Sequence, residues 1–169
     1  MSTTTRILND ATVAAIRGYF PRYPNRRAVV LPALHVVHEQ LCYVPPETVV
    51  EIAELLELAP SEVQDTLSFY GLFKQDRPQG RVRAFVCRSI SCAACGGEEV
   101  LEYLCKRLGI RPGETTADGR VSLDYAECLG ACDFAPAMLA NEVLWKNLTK
   151  DKIDAFVESL VPGNGWLNS

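Results

Sequence analysis

The stretch RVRAFVCRSISCAACGGEEVLEYLCKRLG, residues 81–109, decides how the whole chain is read. Its opening, RVRAFV, has the composition of a short strand and runs directly into Cys87. A helix is predicted from about Glu98 to Leu108, because Leu101, Leu104, Cys105 and Leu108 recur at i, i+3, i+4 and i+7, and Gly109 follows as its C-cap. Just upstream, Arg77-Pro78-Gln79-Gly80 reads as a turn, and the domain boundary is placed there.

Downstream, VSLDY precedes Cys128 as a second strand, and AMLA and VLWK flank Asn141-Glu142 as a hairpin. Thr149 caps a closing helix that carries Ile153, Phe156, Val157 and Leu160. The order is therefore β-α-β-β-β-α. A parallel crossover followed by a hairpin and a final helix is the arrangement of a thioredoxin-like α/β sandwich.

Upstream, the pattern is helical. Asn9 or Asp10 is expected to cap a helix over ATVAAIRGYF that Pro21 stops. In AVVLPALHVVHEQL, Leu34, Val37 and Leu41 share a face, which requires Pro32 to lie in the first turn. A third helix starts at Pro45-Pro46 with Val49, Ile52, Ala53 and Leu56 as its stripe. A capping box of Ser61 with Gln64 opens a fourth, running through Val63 and Leu67 into Phe69-Tyr70-Gly71-Leu72-Phe73. Phe69, Tyr70 and Phe73 are expected in the core. The predicted fold class is α+β: an N-terminal helical bundle over 1–76, a thioredoxin-like α/β domain over 77–161 and a loose tail over 162–169.

Composition narrows the function. The 169 residues include 17 Lys and Arg against 21 Asp and Glu, a formal net charge of -4, and 48% are hydrophobic. With no long basic run, neither nucleic acid nor anionic lipid is a natural partner. No window has the length of apolar sequence that a membrane span needs, and MSTTTRILND lacks the apolar core of a secretory signal. With only Arg6 and Arg17 basic among the first 20 residues, and Asp10 acidic, no transit peptide is read either, so a cytoplasmic location is expected. In that compartment thiols stay reduced, so the seven cysteines point to metal or redox chemistry, and an odd number excludes complete pairing.

Five cysteines are candidate ligands: Cys87, Cys92 and Cys95 in one cluster, Cys128 and Cys132 in a second, each cluster placed in a loop after a strand. Cys92-Ala-Ala-Cys95 alone reads as a thioredoxin-type dithiol, which leaves the other three unexplained. Cys87-x4-Cys92-x2-Cys95 with a distant cysteine has plant-type ferredoxin spacing, but the helix after the loop argues against it. Cys87-x4-Cys92 with Cys128-x3-Cys132 uses two similar loops and two ligands from each. A four-cysteine zinc site has suitable ligands but lacks the usual CxxC knuckles. Gly96, Gly97 and Gly130 let backbone N–H groups turn toward sulfur, and Arg88 is read as a charge that slightly raises the potential of a cluster beside it. Cys42 and Cys105 read as small core hydrophobes, His35 and His38 as core or solvated histidines, and Arg22, Arg26 and Arg27 as a short basic patch.

VCRSISCAACGG (86–97), ETTADGRVSLDYAECLGACDFAPAML (114–139) and NLTKDKID (147–154) resemble the 2Fe-2S subunit of NADH-quinone oxidoreductase, the E-type subunit of the bacterial enzyme. The resemblance extends through LPALHVVHEQLCYVPPETVVEIAELL and SEVQDTLSFYGLF, and so covers roughly residues 10 to 160. It implies one 2Fe-2S cluster held by Cys87, Cys92, Cys128 and Cys132, with Cys95 not required. It further implies a flavoprotein partner, the F-type subunit, that binds NADH, FMN and a 4Fe-4S cluster, other peripheral-arm subunits, and a place at the cytoplasmic face of the inner membrane. Equivalent subunits of NAD-linked hydrogenases or formate dehydrogenases are the alternative, and a thiol-disulfide oxidoreductase using Cys92 and Cys95 is a more distant one. No G-x-G-x-x-G fingerprint is present, so NADH and FMN are expected in the partner.

Overall fold

The computed structural model describes residues 6–160, so the tail expected over 162–169 lies outside the described residues. By its internal contacts the chain divides into two units, Met1–Pro78 and Gln79–Ser169.

In the first unit, α1 (Asp10–Arg17) begins where the Asn9 carboxamide accepts the Thr12 N–H at 2.9 Å. It stops at Gly18, short of the Phe20 expected from sequence, and a 3-10 turn over Phe20–Arg22 follows. Pro21 sits inside that turn, in a first-turn position where its missing N–H costs no hydrogen bond. α2 (Val30–Leu41) holds Pro32 in its first turn and ends at Cys42, whose φ of 63° is left-handed. α3 (Pro46–Leu56) starts at the predicted proline pair. α4 (Pro60–Phe69) begins differently from the expected Ser61/Gln64 box: the Glu62 carboxylate accepts the Ala59 N–H at 3.0 Å. Pro60, with φ already helical, takes the first position and moves the start two residues upstream. Ile16, Leu34, Val37, Ile52, Leu56, Val63 and Leu67 fill the core. Of the three aromatic residues expected there, only Phe73 is buried; Phe69 is 79% exposed and Tyr70 40%.

The second unit is built on a five-stranded mixed sheet in the order β2-β3-β1-β4-β5: β1 (Val82–Cys87), β2 (Glu114–Thr115), β3 (Val121–Ala126), β4 (Met138–Ala140) and β5 (Val143–Trp145). β1 and β3 are parallel, with Cys87 opposite Ala126 as the last pair. α5 (Ile90–Ala94) and α6 (Gly97–Leu108) form the crossover between them. β4 and β5 make the predicted hairpin, with Asn141 at φ 49° in its two-residue turn. α7 (Lys150–Ser159) closes the unit from its Thr149 cap. Val82, Ala84 and Val86 point to one face of β1 and share a core with Val100 and Leu104 of α6 and Ile153 and Phe156 of α7. This is the predicted α+β class, with three elements beyond the sequence reading: the two-residue β2, α5 within the segment read as a loop, and a 3-10 turn over Cys132–Phe134. No helix among the described residues is long and apolar enough to cross a membrane.

Candidate functional site

Five cysteines sit where parallel strands β1 and β3 end, the edge at which α/β sheets gather functional groups. Cys87 is the last residue of β1, and Cys92 lies in α5 rather than in an open loop. Serine and alanine flank Cys92 in α5, and both cysteines are buried: Cys87 is 4% and Cys92 2% exposed. They pack with Ala137 in a small cluster of their own, covered by Leu129, Ala131, Ala135 and Leu144. Cys128 lies between β3 and a 3-10 turn that Cys132 opens, and both are exposed. Cys95 is exposed at the C-terminal end of α5.

Sulfur in this site is surrounded by N–H donors. The Cys87 sulfur accepts from the backbone of Ser89 on its own segment and of Leu129 on the other, and from the Cys92 thiol. Burial pushes the Cys87 thiol up, but these three hydrogen bonds outweigh it, and the group ends below its ordinary value. For Cys92 the balance is reversed. Burial raises it, the Ala137 N–H draws it back, and the neighbouring Cys87 and Cys132 sulfurs add to the rise. Gly130, at φ 67°, aims its N–H at the Cys128 sulfur from 3.4 Å. Such bonds to a charged sulfur contribute about 1.5–3 kcal/mol each, enough to hold thiolate in a largely apolar pocket.

The Leu129 contact joins the site across the sheet, because it brings the segment of Cys128 and Cys132 onto the sulfur at the end of β1. The structure thus places Cys87 against Cys92 and Cys132 within electrostatic reach of Cys92. As the side chains stand, no group of three or more His, Cys, Asp or Glu among the described residues is gathered to hold a metal ion. The donor set suits an iron–sulfur cluster: sulfur ligands from two segments with amide donors aimed at sulfur. Gly97 supplies a cradle for this arrangement. A Cβ there would come within 2.8 Å of the Cys92 carbonyl oxygen and 3.3 Å of that of Cys87, so only glycine lets α6 start this close to the cysteine backbone.

Amide donors near Ser89 and Leu129 were legible from the glycines nearby; Ala137 was missed, since it comes from the start of the hairpin and no spacing signals it. Arg88 makes two contacts that its sequence position does not signal. Its guanidinium pairs with Glu127 and lies 3.9 Å from the Tyr125 ring centroid. Cys105 packs against the sheet core, and burial pushes its thiol up. His35 and His38 both meet the Phe73 ring edge-on, at 5.1 and 5.5 Å. Of the basic patch, Arg26 stacks on Phe20 at 3.4 Å and Arg27 pairs with Glu62 at 3.6 Å.

A family model described as Thioredoxin-like [2Fe-2S] ferredoxin matches residues 16–161. The second E-type subunit of NADH-quinone oxidoreductase in Rhizobium meliloti (strain 1021) is 39% identical over 138 residues, 82% of this chain and 82% of the relative. NADH-quinone oxidoreductase subunit 2 of Thermus thermophilus is 37% identical over 147 residues, 85% of this chain and 81% of the relative. Among solved structures, an NAD+-reducing [NiFe]-hydrogenase in the air-oxidized state aligns with a TM-score of 0.69 at 29% identity, over 81% of this chain and 24% of that chain.

Proposed function

The chain belongs to the thioredoxin-like 2Fe-2S ferredoxin family, and from that premise we propose that Cys87, Cys92, Cys128 and Cys132 hold its one cluster and that it serves as the electron-transfer subunit of an NADH-quinone oxidoreductase. The observation that carries this reading is the packing of Leu129 and Ala131, from the second cysteine segment, against buried Cys87 and Cys92, which brings the two segments together at one strand edge. When bound, a 2Fe-2S cluster takes up and releases single electrons at a potential set by its surroundings. The protein's own contribution is to bury Cys87 and Cys92, aim the amides of Ser89, Leu129, Ala137 and Gly130 at sulfur, and keep Cys128 and Cys132 near the surface.

NADH gives up two electrons together as hydride, so a flavin must stand between it and a one-electron carrier. The sequence has no dinucleotide fingerprint, which supports placing NADH and FMN in a flavoprotein partner of the F type with its own 4Fe-4S cluster, alongside other peripheral-arm subunits. In this reading the chain works at the cytoplasmic face of the membrane without entering it. Likeness to the NAD+-reducing hydrogenase favours a second reading, in which the same module serves an NAD-linked hydrogenase. A Cys92/Cys95 dithiol enzyme fits poorly, because it needs an exposed, acidified thiol at a helix N-terminus, whereas Cys92 is buried with its thiol pushed up.

The test is substitution with metal analysis. Cys132→Ser should lose most of its iron and visible absorption, and Cys95→Ser should keep both. Iron lost from the Cys95 variant and kept in the Cys132 variant would overturn the ligand assignment. Large subunits that copurify with the chain separate the quinone-reductase reading from the hydrogenase one.

A further inference from the structure

Beyond Cys87 and Ala126 the β1–β3 ladder ends. The Arg88 N–H still donates to the Ala126 carbonyl at 3.0 Å, as a last rung. From this point the two segments diverge, one into α5 with Cys92 and the other toward Cys128 and Cys132. No turn joins them, since the strands are parallel and the two sides of the fork are 39 residues apart in sequence. At the fork the Arg88 guanidinium hydrogen-bonds the Glu127 carboxylate and lies over the Tyr125 ring. Arg88 follows Cys87, and Glu127 precedes Cys128.

We propose that Arg88, Glu127 and Tyr125 form a clasp at this fork, a positioning device that keeps the two cysteine segments from parting and so slows loss of the bound cluster. The clasp rests on the proposed ligand set. Its members are largely exposed, with the two charged side chains 48% and 77% accessible, so it contributes little to folding as a whole. Its effect is local, on how often the fork opens.

This role is separable from the other one open to Arg88, a positive charge that raises the potential of a neighbouring cluster. Neutralising Arg88 and neutralising Glu127 change local charge in opposite directions but open the clasp alike. The experiment uses the full chain with its cluster, follows visible absorption as an excess of iron chelator strips the metal, and measures the reduction potential of each variant. Arg88→Gln and Glu127→Gln should each speed the loss about fivefold, the scale of one exposed ion pair with a stacked ring. Arg88→Glu should be at least as fast, and adding Glu127→Arg to it should recover part of the difference. Tyr125→Leu, which removes the ring beneath the guanidinium, should raise the rate. Unchanged loss rates in both Gln variants, with potentials displaced in opposite directions, would overturn the clasp in favour of the charge. A wild-type chain with neither iron nor labile sulfide would sink the cluster reading and the clasp with it; an iron-bearing wild type indifferent to all these substitutions sinks the clasp alone.

Discussion

Asp118, in the turn that joins β2 to β3, carries the strongest carboxylate perturbation of the second unit away from the cysteines. The Thr116 hydroxyl donates to it at 2.7 Å, the Arg120 N–H at 3.0 Å and the Arg120 side chain at 2.5 Å, and together they pull its carboxyl down to about 2. Arg120 also donates to the Leu160 carbonyl at 3.1 Å, so the same turn touches the end of α7. The folded value lies below the roughly 3.9 of an unfolded aspartate, so the stability it contributes is complete above that value and is lost as pH falls through about 2. Asp118→Asn should therefore lower the urea midpoint at pH 6 by a small amount, because the group is 43% accessible and screened. The gap between variant and wild type should close between about pH 4 and pH 2. A gap that widens toward low pH in paired urea titrations would contradict this assignment.

At the scale of elements, legibility followed periodicity. α2, α3, α6 and α7 each bury a stripe at 3.6-residue spacing, and that stripe can be read whatever the neighbouring structure. α5 is invisible for the opposite reason: five residues make little more than one turn, too short for a stripe, and the cysteines within it read as a ligand loop. The proposed four-cysteine set comes from resemblance, while spacing alone leaves three ligand schemes open. Which sulfurs are buried, and that Ala137 supplies a donor, depended on how the segment after β3 folds over the end of β1. Phe69 and Tyr70 show the limit of spacing as a burial signal: Phe69 closes α4 off the buried Val63–Leu67 stripe, and the helical register does not reach Tyr70. The junction of α5 and α6 makes the next prediction. With a Cβ at Gly97 set 2.8 Å from the Cys92 carbonyl oxygen, Gly97→Ala must push α6 away from backbone that carries two of the proposed ligands. It should cost about 1–3 kcal/mol in chemical unfolding and lower the iron bound per chain. Gly71→Ala, with nothing within 4 Å of the added methyl, is the control expected to leave both unchanged.

For the whole molecule, the relevant fact is that each unit has its own core. Ile52 is fully buried among the helices of the first, and Phe156 is fully buried in the second, with its ring edge-on to Trp145 at 5.3 Å. All the candidate ligands lie in the second unit. A cavity in one core removes packing that the other core never had, so its cost should stay in the unit where it is made. Ile52→Ala should cost about 2–5 kcal/mol and Phe156→Ala about 3–5 kcal/mol, each in its own unit. Under denaturant, visible absorption reports the cysteine-bearing unit and far-ultraviolet circular dichroism mostly reports the helical one. Phe156→Ala should thus move the loss of colour to lower denaturant, while Ile52→Ala moves the main helical transition and leaves the colour midpoint nearly in place. Equal displacement of both signals by either substitution would show that the chain unfolds as one cooperative body, and the electron-transfer unit would then owe its stability to the helices as much as to its own sheet.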